Sequence, residues 1–430
     1  MDADKYIASL DMFGIRLGLE RVKKLAELAG HPEKSLKFIH LAGTNGKGST
    51  GAMLECALRG MGYVTGFYSS PHLIDVRERF RVNGRSIGRD LFNETTEKLV
   101  SLCGEEKFTY FEFVTVLALQ IFKDAGCDFV IWETGMGGRL DATNIVVPEA
   151  VVITNIAFDH QERLGSTLAA IAAEKAGIIK PEVPVFYGSL VPEAAEVIKQ
   201  KAAELGCDIF PPRGDVPELQ ASSESSSGYI QYFDYCGKRI ALSLGGRMQR
   251  ENFRVVYNVL EYLSGKYCFD FAESLKTLDK VVWPARFQKV NDRVTVDGGH
   301  NPDGVRALAA SLDEFCPDCR FTVIFAAFAD KDVKETLHLL SSKYASGFVF
   351  TRPAPWGRAP HKFETLRALV PESIPCSWED DVSKALLKAL SGKERVLVCG
   401  SLHLAGQVLQ SLLGEESACD LISVAERKNK

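Results

Sequence analysis

Short apolar runs alternate with stretches of helical period from the first quarter of the chain onward. A short apolar run suits a strand covered on both faces, and the intervening amphipathic helices supply the cover, so the pattern predicts an α/β fold with a parallel sheet. Strands are expected at 37–42, 64–68, 128–133, 150–155 and 183–187. A long apolar-periodic helix is expected over 110–125 and a shorter one, made of good helix formers, over 168–176. From 228 to 244 the pattern changes to alternating Tyr, Ile, Phe and Ser, as in an antiparallel ribbon, preceded by a Ser-rich stretch at 222–227. This reads as an edge elaboration. A helix over 251–264 leads to Trp283-Pro284-Ala285-Arg286, where proline forbids helix continuation and marks a crossover. Strands at 290–297, 322–327, 347–351 and 395–400 then alternate with helices at 302–315 and 332–343, before a last helix. Two α/β domains are expected, 1–284 and a smaller 285–430, with a charged, frayed tail beyond Gly414 and no internal repeat.

Composition adds exclusions. At roughly 150 residues per domain, 430 residues suit two or three domains. Fifty-one Lys+Arg against 56 Asp+Glu leave a net charge of −5. That mild acidity argues against a sequence-blind grip on nucleic acid or an anionic membrane, both of which need a basic face, and favours small-molecule partners. Residues 1–5 carry two aspartates and no apolar h-region, and no window reaches the ~18 apolar residues of a spanning helix, so a cytoplasmic location is expected. Eleven scattered cysteines suit reduced thiols; the one close pair, Cys316 and Cys319, lacks the second pair that zinc would need and reads as core.

The strongest local signal is Gly43-Thr44-Asn45-Gly46-Lys47-Gly48-Ser49-Thr50, between an apolar strand and an amphipathic helix. Glycines let successive N–H groups face phosphate oxygens, the helix N-terminus adds positive potential, and Lys47 supplies a charge for the distal phosphates. Ser49 or Thr50 could hold Mg²⁺. The loop is a variant: Leu41 stands at the first glycine position of the strict pattern and Gly48 where a hydroxyl belongs. The first domain is therefore read as a phosphate-loop, parallel-sheet ATPase and the second as Rossmann-like.

A second anionic pole follows from the strand 128–133, which ends in Glu133 beside that loop, a Mg²⁺-binding position. The glycine-rich run 134–141 fails the dinucleotide pattern because Leu140 fills its last place. At the end of the next strand, chemistry alone favours Asp159 over His160 as a magnesium ligand, since magnesium prefers oxygen. Lys175 reads as a helix C-terminal cation. Arg77, Arg79 and Arg81 alternate on an apparent short strand and read as a solvated hairpin face.

The loop just described, with Tyr68-Ser69-Ser70-Pro71, Glu133 through Asn144, Phe158-Asp159-His160 and Glu174 through Lys180, closely resembles the folylpolyglutamate synthase/dihydrofolate synthase family, the folate branch of the Mur ligases. The match continues through Gln249, Asn252, Trp283 through Gln288, Asp297 through Pro302, Ala329 through Asp332 and Gly400-Ser401-Leu402, nearly the whole chain. The resemblance implies an ATP-dependent amide ligase. The γ-phosphate passes to a substrate carboxylate, and the α-amine of L-glutamate attacks the acyl phosphate. Phosphoryl transfer needs positioning and charge neutralisation rather than a protein nucleophile. It also implies two Mg²⁺ sites, with room for a monovalent cation: Ser70, Glu133 and His160 would hold one ion, and a carbamylated Lys175 would stand near a second. His160 thereby rises above Asp159, and Lys175 joins Lys47 and His160 in the active site.

By the same resemblance Thr44, Asn45, Gly46, Lys47, Gly48 and Ser49 with Asn252, Arg286 and Asp297 would bind nucleotide, Arg286 reaching the phosphates and Asp297 the ribose. Leu17, Gly18, Leu19, Thr109, Phe111, Leu140, Asp141 and Ala142 would meet the pterin, with His300 on the substrate side. An aromatic ring offers a stacking face, and an aspartate accepts pterin N–H groups. Asp141 and the N-terminal segment tilt the expectation toward dihydropteroate as well as reduced folates, used by a monomer. Met248, Phe253 and Ala285 depart from the family's frequent His, Ala and Gly. A muramyl-peptide ligase would share the loop but not the pterin positions. A kinase or NTPase switch would leave Lys175, Asp297 and His300 without a use.

Overall fold

The computed structural model of the chain describes residues 2–10, 18–225, 228–353 and 359–414. Their contacts divide the chain into two compact units, one of residues 1–215 and 251–277, the other of 216–250 and 278–430.

The first unit is built on an eight-stranded sheet of β1 (Phe38–Ala42), β2 (Thr65–Tyr68), β3 (Phe80–Val82), β4 (Arg85–Ser86), β5 (Phe129–Glu133), β6 (Ala150–Ile153), β7 (Val185–Tyr187) and β8 (Ile209–Phe210), in the order β4-β3-β2-β5-β1-β6-β7-β8. The six strands from β2 to β8 in that order run parallel; β3 and β4 add an antiparallel edge. β1, β5 and β6 are buried at every position, as the apolar runs predict for strands covered on both faces.

Five helices matter for the site: α1 (Glu20–Leu28), α2 (Lys47–Gly60), α3 (Tyr110–Asp124), α4 (Leu168–Ala176) and α5 (Arg247–Tyr267). α3 begins with a capping box in which Thr109 and Glu112 exchange hydrogen bonds, and it buries Phe113, Val116, Leu117 and Ile121 under the β2–β5 side of the sheet. Among the described residues no helix is long and apolar enough to cross a membrane.

The second unit contains two sheets. The ribbon β9 (Ala221–Ser225), β10 (Gly228–Tyr235) and β11 (Lys238–Leu242) is antiparallel, and the Ser-rich stretch read as a lead-in supplies its first strand. The other has the order β12-β13-β17-β14-β15-β16, with β12 (Gln288–Lys289) antiparallel to β13 (Val294–Val296). β14 (Phe321–Phe325), β15 (Ala345–Phe350), β16 (Cys376–Trp378) and β17 (Arg395–Cys399) are parallel to their neighbours. Helix α6 (Pro302–Phe315) packs its apolar stripe of Val305, Leu308 and Leu312 inward. The α/β class with parallel sheets is thus as the hydrophobic pattern predicts.

Candidate active site

Parallel strands bring their C-terminal ends to one edge of a sheet, and the central strands β5, β1 and β6 lie side by side. The residues following them meet there. The loop after β1 is stapled to the chain after β6: Thr44 N donates to Asn155 O (3.0 Å), Asn45 N to Asn155 Oδ1 (2.7 Å) and Thr154 Oγ1 to Asn45 O (2.6 Å). Gly46 has φ +85°, and a Cβ built there would stand 2.5 Å from Asn252 Oδ1 on α5, so the turn needs glycine for conformation and for space. α2 starts at Lys47, and the first N–H groups of a helix have no partner within it. Those of Lys47, Gly48 and Ser49 therefore give the loop a positive, donor-rich end. Lys47 Nζ donates to Gly43 O (3.0 Å) and Thr44 O (3.4 Å) and lies 3.9 Å from Glu133 Oε1. Ser49 and Thr50 are both buried, and Thr50 Oγ1 has no hydrogen-bond partner.

Glu133 ends β5 in register with Leu41 of β1, which places its carboxylate at the mouth of the loop. Ser70 N lies 3.4 Å from Glu133 Oε2, so the structure brings Ser70, Glu133 and Lys47 together. Among the described residues no three His, Cys, Asp or Glu side chains are grouped so as to hold a metal ion. A carboxylate and a hydroxyl residue side by side fit Mg²⁺, which takes few protein ligands and completes its shell with water and phosphate oxygens. His160 opens a short turn at φ +51°, its ring about half exposed and 3.9 Å from Asp159 Oδ1. The side chain of Asp159 is the more buried of the two, and its charge acts on Lys175.

Lys175 lies in the last turn of α4 and is 3% exposed. Burial and the nearby Lys47 ammonium lower its pKa to about 7, against the pull of Asp159 and Asp141. It is therefore not the solvated helix-end cation that sequence chemistry suggests. The glycine turn after β5 makes the close approach: a Cβ at Gly138 would stand 2.7 Å from Glu174 O and 2.9 Å from Lys175 O. Arg139 N donates to Glu174 O (2.8 Å). The run that fails the dinucleotide pattern is a packing surface for α4.

Asp141 follows that turn and is buried. It accepts from Thr143 Oγ1 (2.6 Å), Thr143 N (3.0 Å) and Met136 N (2.8 Å). Burial raises its pKa, and these bonds oppose the rise. Leu140 is half-buried and Ala142 buried on either side. Phe111, in the first turn of α3, is half-buried. Its ring would be 2.4 Å from a Cβ on Gly135, so it lies directly over the glycine turn. Thr109 is committed to capping α3, and Glu112 is held by Arg21 of α1 (2.7 Å). Gly18 (φ +131°) and Leu19 lead into α1, whereas Leu17 lies outside the described residues.

Arg77, Arg79 and Arg81 do not form a solvated face. The first two lie on the helical turn Val76–Arg79 and β3 begins at Phe80, so they do not alternate. Arg77 is held by Asp75 (2.7 Å), Arg79 Nε donates to His72 Nδ1 (2.9 Å), and Arg79 and Arg81 are buried.

The second unit gathers its own three expected residues at the end of β13. Asp297 accepts from Phe287 N (2.8 Å) and Gly299 N (2.7 Å); burial raises its pKa and Arg286 opposes this. His300 Nδ1 lies 3.1 Å from Gly298 O, and Asn301 caps α6 through Gly304 N (2.8 Å). Sequence reasoning missed Thr154 and Asn155, the staples of the phosphate loop. The signal was there, a polar pair ending an apolar strand.

A parallel sheet that ends in a lysine-bearing glycine loop with an acid beside it is the arrangement of a nucleotide-phosphate site. Residues 41–253 match the Mur ligase middle domain and 285–402 the Mur ligase glutamate ligase domain. The dihydrofolate synthase/folylpolyglutamate synthase of Bacillus subtilis is 34% identical, the match covering 96% of this chain and 98% of that protein. Escherichia coli FolC, solved with DHPP and ADP, is 31% identical with a TM-score of 0.81 over 95% of this chain and 96% of its own. Mycobacterium tuberculosis folylpolyglutamate synthase, solved with ADP, is 27% identical with a TM-score of 0.83 over 96% and 97%. The chain belongs to the dihydrofolate synthase/folylpolyglutamate synthase family, and it is an ATP-dependent ligase of folate metabolism. The kinase and muramyl-peptide alternatives fall with that membership.

Proposed function

We propose that this enzyme joins L-glutamate to dihydropteroate and to the γ-carboxyl of reduced folates. The observation that carries the reading is identity at 34%, across almost the whole of both chains, with a relative named for both activities. Escherichia coli FolC with its DHPP and ADP supports the pterin side.

In the proposed reaction a substrate carboxylate oxygen attacks the γ-phosphorus of ATP and ADP leaves. The glutamate amine then attacks the acyl carbon, loses a proton and expels phosphate. The residues 43–49 bind the phosphates through backbone N–H groups, and Lys47 exchanges its loop carbonyls for phosphate oxygens. Ser70, Glu133 and His160 would hold one Mg²⁺ and Lys175, as a carbamate, would stand near a second; bound Mg²⁺ neutralises charge on the transferring phosphoryl group. A pKa near 7 leaves much of Lys175 as the free amine, which is the form that adds CO₂ and releases a proton. Asn252, Arg286 and Asp297 serve the nucleotide, Gly18, Leu19, Phe111 and Asp141 the pterin, and His300 the substrate side. The enzyme works as a cytoplasmic monomer on small molecules, in keeping with its net charge of −5.

The test is phosphate release from ATP with dihydropteroate or tetrahydrofolate, each with and without glutamate. Release that requires both acid and glutamate, with the amide product seen by mass spectrometry, is expected. Acceptor phosphorylation without glutamate would sink the reading.

A further inference from the structure

One buried polar side chain has no part in the proposed chemistry. His40 sits in the middle of β1, fully buried in a strand whose other four residues are apolar. Its Nε2 is 3.0 Å from Thr143 Oγ1, across 103 residues of chain, and its Nδ1 is buried with no hydrogen-bond partner. Thr143 Oγ1 is in turn 2.6 Å from Asp141 Oδ1.

The proton positions in this chain follow from counting donors. Backbone N–H groups of Thr143 and Met136 oppose the burial that raises the pKa of Asp141; in its carboxylate form Asp141 can only accept, and the single hydroxyl proton of Thr143 then points at it. The hydroxyl oxygen must then accept from His40, which fixes His40 as the Nε2–H tautomer and leaves Nδ1 bare. Burial and the Lys180 ammonium hold the ring neutral, with a pKa lowered to about 3. Trp132 Nε1 donates to Thr143 O (2.9 Å) and fixes the backbone of the middle member. A buried, bare ring nitrogen bears its whole desolvation penalty, and an apolar side chain at position 40 would avoid it. The ring is therefore explained by its other edge.

We propose that His40 is a positioning residue for the pterin: through Thr143 it locks the Asp141 carboxylate in the one orientation that accepts the ring's N–H groups. The inference rests on Asp141 being the pterin anchor, and the experiment separates the two. In the full-length enzyme, Thr143→Val removes the hydroxyl at nearly constant volume, Thr143→Ser keeps it, and His40→Leu removes the donor behind it. Thr143→Val and His40→Leu are expected to raise the KM for dihydropteroate about tenfold while the KM for ATP stays within about twofold. kcat at saturating pterin should persist, and Thr143→Ser should behave like the parent. A packing role would lower the melting temperature without splitting the two KM values. If Asp141→Asn raises the pterin KM but folded Thr143→Val does not, the relay is overturned and the anchor stands. If Asp141→Asn leaves that KM unchanged, anchor and relay fall together. Should His40→Leu not fold, the Val and Ser variants at position 143 decide the matter alone.

Discussion

At the end of β1 the phosphate loop is held from beside by backbone groups and by Thr154 and Asn155, and its working parts are contiguous in sequence. At the end of β5 the turn around Asp141 is held from beneath, by Thr143 and by His40 one strand away. On the proposed reading the first presents backbone donors and the Lys47 ammonium to a highly charged ligand. On the same reading the second fixes one carboxylate for a ring whose N–H groups have set directions. A polyphosphate tolerates several hydrogen-bond arrangements, so glycine conformations suffice; a planar heterocycle does not, so a buried network is spent on one rotamer.

The largest effect should come from the loop. Lys47→Ala is expected to reduce turnover about 10²–10³-fold, the scale for removing one preorganised donor from developing charge. Its melting temperature should change little, because Nζ bonds loop carbonyls and stands no closer than 3.9 Å to its carboxylate neighbour Glu133. Turnover within a few-fold of the parent would detach the loop from the reaction.

Lys175→Met comes next and separates activity from stability. Activity should be lost, and added bicarbonate should not restore it. In metal-free, CO₂-free buffer the same variant should be more stable than the parent at pH 7, by a few kcal/mol, because a buried amine with a pKa near 7 is replaced by an apolar chain. The sign with pH follows from linkage. The unfolded lysine binds its proton up to about 10.5 and the folded one only to about 7, so parent stability rises with pH across that window. The gap between the two melting temperatures should close toward pH 10. A constant gap would mean that Lys175 is not held as the free amine.

A matched pair sharpens the contrast between the two strand ends. Asn155→Ala removes the carbonyl that accepts Asn45 N and should raise the KM for ATP about tenfold with the pterin KM unchanged, the mirror image of Thr143→Val. Combined, the two should multiply, since they share no partner. Strong non-additivity would mean that the loop and the turn move as one.

The same contrast explains what could be read from the sequence. The sheet strands and the loop were legible because burial and glycine geometry act over neighbouring residues, and Glu133 could be placed because a strand end is visible in hydropathy. His40 was not legible: inside an apolar run a histidine looks like any tolerated core residue, and its partner lies 103 positions on. Lys175 resembled a helix cap because the depth of α4 depends on Gly138 pressing against its last turn. The three arginines misled because alternation identifies a strand only where the backbone is extended, and at Arg77 and Arg79 it is helical. The ribbon's alternation announced strands but not which unit they would join.

The smallest effect concerns Ala285, where the family often has glycine. Ala285 is fully buried at φ +56°, its N–H donating to Gln288 Oε1 (3.0 Å) and its carbonyl accepting from Gly298 N (2.8 Å). These bonds hold the residue in a left-handed conformation that costs a non-glycine about 1–2 kcal/mol. Ala285→Gly relieves that cost but gives the unfolded chain more freedom, worth about 0.4–1 kcal/mol in the opposite sense. The net expectation is a gain of roughly 0.5 kcal/mol, read as a small upward shift of the urea midpoint. Ala285→Val, whose branched side chain fits the left-handed region worse, should shift it downward. The pair of signs is the test: if glycine lowers the midpoint and valine does not, Ala285 is not held at positive φ, and the Gln288 and Gly298 bonds that enforce it do not form in solution.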